Sequence, residues 1–141
     1  MTDPRTNTIY DQVGGLETFE RLVGTFYDEV EHDPVLRHLY PESLAAPRKH
    51  LGLFLAQYFG GPTTYAEQRG HPRLRMRHLP FRIGRRERDA WVSHMLAAID
   101  TAGIAEPARS EMREYFENAA TFLINQELPG PNTPEPGDRI V

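Results

Sequence analysis

The run RLRMRHLPFR, residues 73 to 82, sets Arg73, Arg75, Arg77 and Arg82 around a single histidine, His78, with Pro80 and Phe81 close behind. An imidazole among fixed positive charges, in an apolar setting, suits more than one chemistry. It could belong to a nucleic-acid patch, hold a metal, or stand beside an anionic cofactor. A solvated basic patch is the plain alternative. The whole chain weighs against nucleic acid, because its formal net charge is -4 with the histidines neutral. The positive charge is therefore a local feature.

Other sites fare worse. The chain has 6 histidines and no cysteine. Beyond His78 they are His32, His38, His50, His71 and His94, and none forms an HExxH, so zinc lacks ligands at short spacing. Ser43, Ser93 and Ser110 have no nucleophile elbow around them. There is no Walker A pattern and no GxGxxG. Haem iron asks for less, since one histidine can hold it. Such a site needs a neutral imidazole, an apolar slot, and cationic or hydroxyl groups at the rim for the propionates. His78, the Phe- and Leu-rich helices and the arginine run supply those types, although a lone histidine is as readily structural. Tyr27, Tyr40, Trp91 and Tyr115 read as core aromatics. A buried Tyr or Trp also carries a polar atom that wants a partner. Several of them in one pocket would serve a ligand that accepts hydrogen bonds.

The elements that must position these groups are helices. Apolar residues recur at helical spacing in Leu16, Phe19, Leu22, Val23, Phe26, Tyr27 and Val30. The same holds for Leu51, Phe54, Leu55 and Tyr58, and for Trp91, Met95, Leu96, Ala98 and Ile99. A last stripe runs through Met112, Tyr115, Phe116, Ala119, Phe122 and Leu123. No segment alternates with period two, so the fold class is all-α. Gly14-Gly15 separates a small N-terminal turn from the first long helix. Asp33-Pro34 caps a short helix over PVLRHLY. Pro47 and Pro107 suit helix first turns, and Gly60-Gly61-Pro62 stops the second long helix. Between Pro62 and Gly84 the periodicity fades, which predicts a long functional loop holding His78.

The length of 141 residues fits one domain able to bury a core. Residues 1–8 read as a flexible N-terminus, 9–128 as the globular domain, and 129–141 as a disordered proline-rich tail. No run is long and apolar enough for a membrane span, the N-terminus has no signal peptide, and the missing cysteines suit a reducing compartment. The expected location is the cytoplasm.

Six motifs in order carry a family resemblance over about residues 9 to 127. They are YDQVGG at 10–15, FYDEV at 26–30, DPVLRHLYPE at 33–42, FLAQYFGGPTTY at 54–65, QRGHPRLRMRH at 68–78 and ERDAWVSHM at 87–95. With them the chain resembles the truncated haemoglobins, specifically their group II. The resemblance implies a truncated globin fold, a two-over-two helical sandwich around haem b. His78 would be the axial iron ligand. Tyr27, Tyr40 and Trp91 would line the distal side, with Leu51 and Phe54 as apolar contacts. Leu74 and Ile83 would pack near the proximal side. Arg77, Tyr65 and His50 would be candidates for the propionates, and the basic run becomes a clamp at the haem edge. One helical turn before Leu51 stands Pro47, where the family often has a small residue. Proline offers neither a side-chain hydrogen bond nor a backbone N–H.

The implied function is reversible binding of O₂ and other diatomic gases, in storage, transport or sensing. O₂ taken up at iron acquires partial negative charge, which N–H and O–H donors stabilise. Trp91 can only donate, whereas the tyrosines can do either. Three potential donors point to slow release. The alternative is a redox enzyme, a nitric oxide dioxygenase or peroxidase-like protein. It would need an external reductase, since the chain carries no flavin domain.

Overall fold

The computed structural model describes residues 8–126, and among them every regular element is helical. The order is α1 (Ile9–Val13), α2 (Leu16–Glu31), a 3-10 turn (Arg37–Leu39), α3 (Ala45–Tyr58), α4 (Thr64–Arg69), α5 (Leu74–His78), α6 (Arg85–Thr101) and α7 (Ala108–Phe122). The expected flexible N-terminus, Thr8 apart, and the proline-rich tail lie outside the described residues.

α2 packs on both α3 and α6, and α6 packs on α7. This is the two-over-two arrangement of a truncated globin, and the apolar stripes of the long helices meet in its middle. Phe19, Leu22, Val23, Phe26 and Val30 of α2 are fully buried, as are Met95 and Ile99 of α6 and Met112 of α7. Each such side chain stabilises the fold by roughly 1.5–3 kcal/mol relative to exposure. The stripes are narrower than the sequence suggests. Leu16, Tyr58 and Phe122 are exposed at 37%, 53% and 58%, because each stands at a helix end, where the neighbouring element no longer covers it.

Glycine turns pin α1 to this core. Gly14 and Gly15 both have positive φ, which lets the chain reverse between α1 and α2 at no steric cost. Gly60 also has positive φ, and a Cβ on Gly61 would strike the Tyr10 ring. The backbone of Tyr10 donates to the Phe59 carbonyl at 2.9 Å across this close approach.

The segment expected as one long loop is partly helical, since α4 and α5 both fall inside it. Helices of 6 and 5 residues are too short to display an apolar period, so the sequence hides them. The short helix expected over PVLRHLY shrinks to the 3-10 turn. Its cap stands: the Val35 N–H donates to Asp33 Oδ1 at 2.7 Å. Pro47 occupies the third position of α3, where its missing N–H leaves no helical bond unmade.

Candidate functional site

α5 presents His78. The helix opens from Arg73, whose φ of 45 and ψ of 50 are left-handed, an uncommon state for a residue with a side chain. One turn later, His78 Nδ1 lies 2.6 Å from the Leu74 carbonyl oxygen. A carbonyl only accepts, so Nδ1 carries the proton and the lone pair rests on Nε2. Burial holds the imidazole pKa below its usual value. The Leu74 bond opposes that shift and the Arg77 charge adds to it. The group is thus a neutral, oriented imidazole with an available nitrogen.

Asn125, just beyond α7, fixes the backbone around it. Its Nδ2 donates to the carbonyls of His78 at 3.0 Å and Phe81 at 2.6 Å. Its Oδ1 accepts from the Ile83 N–H at 2.9 Å, and its own N–H donates to the Ile83 carbonyl at 2.8 Å. One side chain thereby sets the whole path from α5 into α6. The sequence gives no signal for it, because a single asparagine past a helix end is usually only a polar stop.

On the other side of the core, Tyr27 of α2, Tyr40 after the 3-10 turn and Trp91 of α6 come together. The rings of Tyr27 and Tyr40 stand 5.6 Å apart, edge to face. Phe26 joins the set, 4.9 Å from Tyr27 and 5.1 Å from Trp91. The Tyr27 hydroxyl and the Trp91 indole N–H both act on the Tyr40 oxygen as donors, each holding its pKa lower than burial alone would. Burial pushes the Tyr40 phenol up to about 12, despite those two bonds. The Tyr27 phenol is raised further, first by burial and then by Tyr40. Both stay protonated at any physiological pH. The donor count changes with this geometry. Two of the three expected donors are spent on Tyr40, so the Tyr40 O–H is the one the network leaves over.

The remaining candidates flank these groups. Phe54 is buried at 8% exposure and Leu51 is half-buried, both on α3. Leu74 and Ile83 are half-buried on the α5 side. A cleft of about 700 Å³ is lined by Phe54 and Leu74 together with Tyr58, Arg75, Tyr115 and Phe122. Tyr65 is buried at 5% exposure, its ring 5.4 Å from Phe54.

The arginine run divides. The Arg75 guanidinium donates to the Phe122 carbonyl at 2.6 Å and lies over its ring at 5.2 Å, so it ties α5 to α7. Arg77 turns the other way and donates to the Arg69 carbonyl at 3.5 Å. An Arg69 N–H meets His50 Nε2 at 3.2 Å. A guanidinium cannot accept, so that nitrogen accepts and His50 is neutral there. Burial lowers the His50 pKa, and Arg69, Lys49 and Arg77 lower it further. A positive rim therefore forms around His50, and Arg69 is a member the motif reading overlooked.

These residues fit haem b. A fixed neutral imidazole offers a lone pair, apolar side chains come from two sides, and cations collect at one edge for carboxylates. Among the described residues no helix is long and apolar enough to cross a membrane, and no group of three or more acidic, histidine or cysteine side chains could hold a metal ion alone.

Comparison with known proteins agrees. A family profile described as "Bacterial-like globin" matches residues 8–125. A group 2 truncated haemoglobin of Bacillus subtilis is 39% identical over 120 residues, covering 85% of this chain and 90% of the relative. The crystal structure of a haemoglobin from the thermophilic phototroph Chloroflexus aurantiacus superposes with a TM-score of 0.84 at 61% identity, covering 84% of this chain and 98% of that one. A group II truncated haemoglobin from Bacillus anthracis gives a TM-score of 0.84 at 37% identity, covering 86% and 99%.

Proposed function

The chain belongs to the bacterial-like globin family, as a truncated haemoglobin of group II, and we propose that it is one that holds O₂ tightly through Tyr40. It is a haem b protein, and the haem supplies the iron at which O₂ and other diatomic gases are taken up. In this reading His78 Nε2 would hold the iron, while Arg77, Arg69 and His50 would meet the propionates. Tyr65, buried against Phe54, would be a further candidate for a propionate through its hydroxyl. Leu51, Phe54, Leu74 and Ile83 form the apolar walls that keep water out.

The observation that carries the reading is the meeting of Tyr27, Tyr40 and Trp91. The Tyr27 and Tyr40 rings are 5.6 Å apart edge to face, Phe26 is in contact with both Tyr27 and Trp91, and Tyr27 and Trp91 act as donors to Tyr40. A hydroxyl that accepts two hydrogen bonds is held in place and is a stronger donor through its own proton. It is preorganised for a partner that gains negative charge. Slow gas release follows. The test is stopped-flow measurement of O₂ dissociation from the wild type and Tyr40→Phe. Equal rates would remove Tyr40 from contact with the gas.

Among redox uses, the same residues favour oxidation of nitric oxide over peroxide turnover. Peroxide cleavage needs a group that moves a proton, and phenols that burial keeps protonated, Tyr40 pushed up to about 12 and Tyr27 raised as well, are poor bases. Nitric oxide meeting captured O₂ needs access and a steady supply of electrons. The reductant would be an external reductase, and the cytoplasm is where one would be met. Rapid mixing of the oxygenated protein with nitric oxide, and of the ferric protein with peroxide, ranks the two. A faster peroxide reaction at matched concentration reverses the order.

A further inference from the structure

The arginines near His78 outnumber what the haem edge requires. Residues 68–86 hold seven arginines and no acidic residue, in a chain of formal net charge -4. The two haem carboxylates would meet Arg69 and Arg77, and Arg75 is engaged with the Phe122 carbonyl. Arg73, Arg85 and Arg86 are exposed. Among the described residues no carboxylate meets their guanidinium groups. Arginines elsewhere do find one: Arg37 pairs with Glu31, Arg48 with Asp28 and Arg109 with Asp100. Arg85 and Arg86 also open α6, where the aligned peptide dipoles are already positive. Positive charge at that end works against the helix, so the fold gives no reason for either residue.

The outer face of α5 adds an apolar centre. Met76 and Leu79, three residues apart and so on one side of the helix, are 53% and 56% exposed. Met76 stands two residues before His78, about 200° round the helix. It therefore faces away from the side on which His78 offers its nitrogen, and haem held there would leave Met76 uncovered. Asn125 brings the charges up to this face. It gathers the His78 and Phe81 carbonyls and the Ile83 N–H around one side chain, which folds the start of α6 back to the end of α5. A small apolar centre ringed by charge of one sign is the form of a transient protein contact, small in area and steered by the field.

We propose that this face, Met76 and Leu79 with Arg73, Arg85 and Arg86 around them, docks a small acidic iron–sulfur protein that delivers electrons to the haem through α5. The proposal rests on the reading of His78 as the iron ligand, and it gives the external reductant a chemistry and a place. A partner seated on Met76 is one helix diameter, about 10–12 Å, from the far side of α5, and the helix itself joins it to the imidazole. One electron leaves the partner's cluster, which is oxidised, and ferric iron is reduced to ferrous. No bond is made or broken and no proton moves. An iron–sulfur centre suits that step because it supplies one electron at a time. Nucleic acid or an anionic membrane would meet the same arginines, but neither uses the nearness of His78. The acidic remainder of the chain repels an extended polyanion. Two apolar side chains on a helix of 5 residues give a bilayer little area to hold.

The test titrates the ferric, haem-loaded protein with an oxidised two-iron ferredoxin of acidic charge and reads the affinity by calorimetry. Binding at low salt that weakens about tenfold or more by about 0.5 M salt is expected. Arg85→Glu combined with Arg86→Glu should weaken it at least several-fold at low salt and flatten the salt dependence. That pair suits the helix dipole, so the Soret band and the thermal midpoint should not fall. Met76→Ser should weaken binding at both salts. In stopped flow, reduction by the reduced ferredoxin should slow with the affinity, while reduction by photoreduced lumiflavin, small and uncharged, should not. Wild-type affinity in the double variant or binding indifferent to salt overturns the proposal. So does tighter binding, at the same salt, to phosphatidylglycerol vesicles or to an oligonucleotide. A dimer of the protein alone that the double variant abolishes assigns the face to a second copy and overturns it too. His78→Ala separates this proposal from the site reading. An unaltered Soret band in that variant overturns both, whereas a changed band with no ferredoxin binding to the wild type overturns the docking face alone.

Discussion

Asp33 and His94 meet at 2.6 Å, Oδ2 to Nε2, and join the turn that leads to Tyr40 with the helix that carries Trp91. The two side chains are 14% and 22% exposed, so solvent screens the contact only in part. Asp33 also caps the turn through Val35. One carboxylate therefore sets the distance between two members of the distal network without touching either.

Its loss should be visible as stability against pH. The Asp33 carboxyl is held below its ordinary value of 3.8, first by the His94 hydrogen bond. A lowered carboxylate stabilises the folded state fully above the unfolded value, and that share is lost as pH falls through the folded one. Asp33→Asn should lower stability near neutrality by roughly 1.5–3 kcal/mol, the usual range for a hydrogen bond to a charged group. Thermal midpoints of the two proteins should converge in acid. A gap that stays constant down to the acid transition would detach Asp33 from this role.

For the proximal side, His78→Ala removes the one imidazole that α5 presents with an oriented lone pair. Haem retention should fall, or the ferrous spectrum should change sharply. Unaltered affinity and spectrum would mean that another group holds the iron.

On the distal side, Trp91→Phe keeps the ring against Phe26 and Phe116 but deletes one bond to Tyr40. A net hydrogen bond contributes roughly 0.5–1.5 kcal/mol, so O₂ should leave roughly two to thirteen times faster. Tyr40→Phe removes the shared acceptor and the outgoing donor together, and its effect should be larger. Stopped-flow dissociation gives both rates. If the tryptophan variant is the faster of the two, the indole addresses the gas itself.

Asn125→Ala strands the Phe81 carbonyl and the Ile83 N–H, and leaves the His78 carbonyl only its bond from the Phe81 N–H. Each group left unsatisfied costs roughly 1–3 kcal/mol where water cannot replace the partner. Asn125 is half-buried, so the low end of that range is expected for each. The variant should melt earlier and pass haem faster to a competing apoprotein. Unchanged haem transfer with a lowered midpoint would assign Asn125 to the fold alone.

The long helices were legible because stripes such as Phe19–Leu22–Val23–Phe26 extend over enough turns for the period to emerge. His78, Tyr27, Tyr40 and Trp91 were legible as a set only through their motifs, since nothing in their spacing says that three of them meet. α4 and α5 were not, being too short to repeat. The arginines misled in part. Charge is written in the sequence, but the direction of a side chain on a one-turn helix is not, and so Arg75 and Arg77 looked alike. Arg69 and Asn125 lay beyond reach for a related reason. Both act through partners far along the chain, His50 and His78, and a polar residue in a turn carries no mark of a distant contact.

The Asn125 contacts also impose an order on synthesis. A chain grows from its N-terminus, so His78 leaves the ribosome well before the residue that fixes its backbone. The nascent protein can assemble α1 to α6 and still lack the clamp around its iron ligand. Firm capture of haem then belongs to the finished polypeptide, after α7 has folded back, and a supply of haem offered earlier would meet a histidine not yet held in place.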